Sequence, residues 1–134
     1  MQIANLKFQI AREMTPDELR TRTKQFALRI IKLVGALPKN IEGRAIASQL
    51  VRCGTSVAAN YRAACRARSR PEFVAKMGVV LEEADETQFW LELIIEASLL
   101  SAQRAQPLLD EANELVAIFV ATRKSASSNL KSSI

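Results

Sequence analysis

The stretch from Arg52 to Ile94 limits the fold more than any other part of the chain. Up to Ala64 it continues a seam begun at Ile46, Leu50 and Cys53 and carried on by Val57, Asn60 and Ala64. Steps of four and three residues draw one narrow line along a helix face. Ser69-Arg70-Pro71-Glu72 then reads as a capping box with proline in the first turn, which stops one helix and starts the next. After it comes a second seam, Phe73, Met77, Val80, Ala84, Thr87, Leu91, Ile94 and Ser98. Two long helices joined by so short a reversal must lie antiparallel and side by side, and the rest of the chain has to pack against them.

The flanking segments supply two more helices. Thr15-Pro16-Asp17-Glu18 combines an N-cap, a proline at the first helical position and acids in the first turn. It opens a helix whose seam is Leu19, Phe26, Ile30, Leu33 and Leu37, with Pro38 ending it near Ala36. Asn40 to Gly43 is read as a short connection, with the second helix spanning 43–67. Ser101 to Gln106 is read as a polar link. Pro107 then opens a fourth helix with seam Leu108, Ala112, Leu115, Phe119 and Thr122, ending near Lys124. The expectation is an all-α, up-down-up-down antiparallel four-helix bundle over residues 15–124. Residues 1–14, with Ile3, Leu6, Phe8 and Ile10, are expected to form an arm, and the Ser-rich tail 125–134 to be disordered.

Composition narrows the chemistry. The chain has no histidine, which removes Ser-His-Asp and Cys-His nucleophile systems, histidine general acid/base catalysis and histidine zinc sites. Its two cysteines, Cys53 and Cys65, sit about 18 Å apart along one helix, too far for a disulfide. The acids Glu82, Glu83, Asp85 and Glu86 mostly point off the seam, so no metal site, cofactor or enzymatic activity is expected. With no signal segment and no long apolar run, the sequence predicts a cytoplasmic protein without membrane association. Charge is uneven. Residues 1–81 carry 15 Lys and Arg against 5 Asp and Glu, whereas residues 82–134 carry 4 against 9.

Three sets of residues stand out as candidate sites. Arg52, Arg62, Arg66, Arg68 and Arg70 gather along the second helix and its turn, with Lys76 a little further on in the third helix, a pattern suited to RNA or DNA phosphates through counterion release. Equally, cations at a helix C-terminus oppose the macrodipole, or the patch serves subunit contacts in an adaptor ring that binds another protein. Asn60 falls on a seam and reads as a polar core residue that fixes register. Phe89, Trp90, Leu93 and Leu100 fall away from the third-helix seam and predict a homo-oligomer interface.

The order of these signals resembles a bacterial family of four-helix bundle proteins related to those encoded in 23S rRNA intervening sequences. The similarity lies in Phe26 through Leu37 with Pro38, the run Gln49 to Asn60, Arg68-Ser69 and Glu72-Phe73, and covers roughly residues 20–120. A more distant likeness is to accessory proteins of diversity-generating retroelements, which bind a reverse transcriptase and nucleic acid. The resemblance implies a cytoplasmic ring, usually a pentamer, a role with nucleic acid and no enzymatic activity. One departure is local: where the family commonly continues past the asparagine with N-I-x-E-G, this chain has Asn60-Tyr61-Arg62-Ala63-Ala64, losing an acid and gaining a base.

Overall fold

Side-chain caps set where the helices begin. Thr15 Oγ1 accepts from the Glu18 amide at 3.1 Å while the Glu18 carboxylate takes the Thr15 amide, so the first capping box closes in both directions. Asn40 Oδ1 accepts from the Gly43 amide at 2.8 Å, and Ser69 Oγ from the Glu72 amide at 3.2 Å. The computed structural model describes residues 14–132, with side chains placed through Ser128. Its elements are α1 (Pro16–Val34), α2 (Ile41–Cys65), α3 (Arg70–Glu96) and α4 (Ala102–Ser132), with no strand among the described residues. The chain is an all-α four-helix bundle. Consecutive helices pack along their lengths, and α1 closes on α4 over a much shorter stretch.

The core is one continuous cluster. Phe26 and Ile30 from α1, Leu50 and Val57 from α2, Met77, Leu91 and Ile94 from α3, and Leu115, Ile118 and Phe119 from α4 are sealed from solvent. Each such side chain contributes about 1.5–3 kcal/mol by leaving water. Two threonines share this interior because their hydroxyls bond their own helices, Thr23 to the Arg20 carbonyl at 3.0 Å and Thr87 to the Glu83 carbonyl at 2.7 Å. Helices α1 and α2 approach closely where Gly54 faces Ile30. A Cβ at that glycine would lie 2.9 Å from both Ile30 γ-carbons.

The structure corrects several expectations. Helix α4 begins at Ala102 rather than at Pro107, which stands at its sixth position. Ser101 caps it, its hydroxyl accepting from the Arg104 amide at 3.3 Å and its carbonyl from the Ala105 amide at 3.1 Å, and buried Ala105 anchors the turn ahead of the proline. Past Lys124 the helix runs on to Ser132 instead of giving way to a disordered tail. Ala126, seven residues after Phe119, falls on the same face and is buried, so the segment does have something to bury.

Other differences lie at helix ends and on the α2 seam. The expected α3 seam overshoots at Ser98, which lies beyond Glu96 at φ 55° and is exposed. The Leu99 amide bonds the Ile94 carbonyl and the Ser98 amide that of Ile95, a Schellman ending with serine where glycine is usual. Glu72 reaches back to the Arg68 amide at 3.2 Å, so the second capping box closes one residue out of register. Asn60 is not a core residue. It is half-buried, its amide nitrogen donating at 2.9 Å to the carbonyl and to the hydroxyl of Ser56 within the same helix. Tyr61 takes the seam position, buried and stacked on Phe119 with ring centroids 6.1 Å apart. The apolar residues of the arm expected over 1–14 lie outside the described residues.

Candidate functional site

The bundle distributes its cations very unevenly. At the α1–α4 closure, Arg22 forks onto Glu111, Nε donating to Oε2 at 2.8 Å and Nη2 to Oε1 at 2.7 Å, with Glu114 3.0 Å away. These carboxylates hold the guanidinium charged well above its ordinary pKa despite partial burial. At the α2–α3 seam, Arg52 pairs with Glu83 at 3.3 Å and with Glu86. Arg52 thus serves an interhelical contact and leaves the patch in which sequence spacing placed it.

Between α1 and α2 the situation reverses. An open groove of about 590 Å³ is lined by Arg20 and Lys24 from α1, Arg62 and Arg66 from α2, and the small side chains Thr21, Thr55, Ala58 and Ala59. Each cation pair is one helical turn apart, about 6 Å along its axis. Because the helices are antiparallel, the start of α1 stands beside the end of α2, and the two pairs face each other. Arg20 pairs with exposed Asp17 on its own helix, whereas Lys24, Arg62 and Arg66 form no ion pair among the described residues. No acid lines the groove. The small α2 residues leave it open, and Arg62 and Arg66 also oppose the α2 macrodipole.

Of the remaining predicted cations, Arg68 is exposed on the α2–α3 turn just beyond Arg66, and Arg70 is exposed at the first position of α3. Arg68 meets Glu72 only at 3.9 Å, with its side chain 91% exposed. Lys76 is half-buried on α3 and does not line the groove. Sequence reasoning missed Arg20 and Lys24. Their i, i+4 spacing on the outward side of α1 was the available signal, and it gains meaning only once α1 is laid antiparallel to α2.

The proposed interface residues are partly drawn inward. Phe89 is 50% exposed and meets Trp90 edge to face at 5.1 Å. Trp90 packs on the core margin and donates its indole N–H to Glu86 at 3.3 Å, while Leu93 and Leu100 are half-buried. Leu28 and Ile31 on α1 and Val120 on α4, which the seams did not single out, are exposed to a similar degree as Phe89.

Cys53 is not placed to act as a nucleophile. Cys53 is fully buried between α2 and α3, its sulfur 3.3 Å from the Thr87 hydroxyl, and burial pushes its pKa up to about 11. Burial also raises Tyr61, whose hydroxyl lies beside the Cys65 thiol. Among the described residues no group of three or more His, Cys, Asp or Glu is arranged to hold a metal ion, and no helix is long and apolar enough to cross a membrane.

The fold and this distribution define a small helical bundle with a basic recess between its first two helices. Its sequence matches the profile of the 23S rRNA-intervening sequence protein family over residues 18–121, and the chain belongs to that family. It is similar to a crystal structure of a protein of unknown function from the S23 ribosomal protein family of Bacteroides thetaiotaomicron VPI-5482. The two share 30% identity with a TM-score of 0.75, over 83% of this chain and 99% of the other. No curated protein matches the chain.

Proposed function

We propose that the protein is a non-enzymatic bundle that binds the backbone of RNA or DNA through the α1–α2 groove, with Arg68 and Arg70 extending the contact at the turn. The single observation behind this reading is the acid-free recess in which Arg20, Lys24, Arg62 and Arg66 converge. Lys24, Arg62 and Arg66 form no ion pair among the described residues, in contrast to Arg22 and Arg52, whose pairing serves the bundle's own contacts. The four groove cations alone give a steep salt dependence, a slope of log K against log salt near −3.6 on duplex, which Arg68 and Arg70 would steepen. Replacing Lys24, Arg62 and Arg66 together with Gln is expected to weaken binding at low salt by at least 100-fold and flatten that slope, with circular dichroism unchanged. Absence of measurable affinity for any nucleic acid at low salt would refute the reading.

A second property has its own supporting observation, the half-exposed Phe89 ring beside Trp90. On this reading the chain self-associates through Phe89, Trp90, Leu93 and Leu100, as a pentameric ring if it follows the family resemblance, and presents its groove in several copies. An adaptor ring that binds a protein such as a reverse transcriptase is the alternative use of the same assembly. Sedimentation velocity of wild type and Phe89→Glu separates these possibilities from a monomer. A wild-type oligomer that Phe89→Glu dissociates is expected, and a wild-type monomer rejects self-association.

A further inference from the structure

The groove has a chemistry more specific than positive charge. Its lining consists of cations, two threonines and two alanines, with no aromatic side chain on which successive bases could stack and no Asn or Gln to read a base edge. The aromatic residue nearest in sequence, Tyr61, is 3% exposed and already stacked on Phe119. Proteins that hold single strands without sequence preference rely on aromatic platforms. A groove without one is suited to the sugar-phosphate backbone, which a double helix displays in regular register.

Thr55 adds a discriminating atom. Its hydroxyl lies 2.6 Å from the Val51 carbonyl and 3.2 Å from that of Arg52, so its hydrogen is committed to its own helix. Toward a ligand in the groove this oxygen can then offer only its lone pairs. A phosphate oxygen gains nothing from such an atom, whereas a ribose 2′-hydroxyl can donate to it. Deoxyribose has no group to offer there. A-form RNA presents its 2′-hydroxyls beside its phosphates along a wide, shallow minor groove. Ala58 and Ala59 on the same wall keep α2 low enough for that surface to approach.

Resting on the backbone-binding reading above, we infer that the α1–α2 groove is a site for double-helical RNA, with Thr55 distinguishing ribose from deoxyribose. The test is fluorescence anisotropy with an RNA duplex, the DNA duplex of the same sequence and the single RNA strand, all at one salt concentration. The RNA duplex is expected to bind about fivefold more tightly than the DNA duplex, the worth of one net hydrogen bond. Thr55→Val should remove that advantage while leaving the salt slope unchanged, and Thr55→Ser should retain it. If Thr55→Val leaves the RNA-to-DNA ratio untouched, or if the single strand binds as tightly as the duplex, the inference is wrong although the backbone-binding reading stands. Failure of all three probes to bind at low salt overturns both.

Discussion

Helix α2 has a different neighbour on each side, and the two seams treat arginine in opposite ways. Toward α3, Arg52 meets Glu83 and Glu86, and the interior is dry, with Cys53 and Thr87 fully buried. Toward α1, four cations share a recess that no acid lines. The cause is the order of charge along the chain. Helices α1 and α2 both come from the basic part of the sequence, whereas the acids begin in earnest at Glu82. Any seam between an early and a late helix can neutralise itself, as Arg22 with Glu111 also shows. The seam between two early helices has few acids with which to do so.

The largest effect is expected where the α1–α2 seam is tightest. Gly54→Ala places a methyl against the sealed, β-branched Ile30, so the strain should outweigh the gain in helix propensity and cost about 1–3 kcal/mol in urea unfolding. Adding Ile30→Ala removes the γ-carbons that clash. The double variant should then show strong non-additivity, and simple additivity would mean that the seam is looser than described.

The dry α2–α3 seam should be visible in alkali. An unfolded cysteine loses its proton near pH 9, whereas Cys53 holds its own to about 11. Between those values the unfolded state binds fewer protons, so stability falls as pH rises, by on the order of 1–2 kcal/mol. It is fully present below pH 9. Chemical denaturation of wild type and Cys53→Ala across this window should give a steeper decline for wild type, and parallel curves would rule out the assignment to Cys53.

The smallest effect tests whether the seams differ only by pairing. Glu83→Gln with Glu86→Gln should cost about 0.5 kcal/mol, since Arg52 is half-exposed. It also frees a cation beside the groove face. Nucleic-acid affinity is expected to rise severalfold in anisotropy titrations, and no rise would mean that Arg52 stays turned toward α3 even without its partners.

Much of this architecture is legible in the sequence because it rests on local signals. Thr15 and Ser69 start their helices as their caps indicate, and the 4-3 seams of α1 and α3 mark the buried faces. Failures came where two local readings compete. From Val57 a step of three reaches Asn60 and a step of four reaches Tyr61, and both fit the pattern. Burying an aromatic ring gains more than burying an amide, so Tyr61 takes the core. Pro107 has the look of a first helical residue only because Ser101 lacks a glutamate three positions on. The recess itself was half visible. Arg62 and Arg66 stand out as a cluster, but Arg20 and Lys24 lie some forty residues away and join them only through antiparallel packing.

The fork of Arg22 on Glu111 has a consequence for how the molecule assembles. Contacts between α1 and α2, α2 and α3, and α3 and α4 close short loops, whereas this pair joins residues 89 positions apart. Loop-closure entropy makes such a contact slow to form, so the three hairpins are expected to condense before the first and last helices meet. A contact made that late acts as a latch. It contributes little to the speed of folding and much to the lifetime of the folded state, so the chain gains persistence from charges that stand far apart in its sequence.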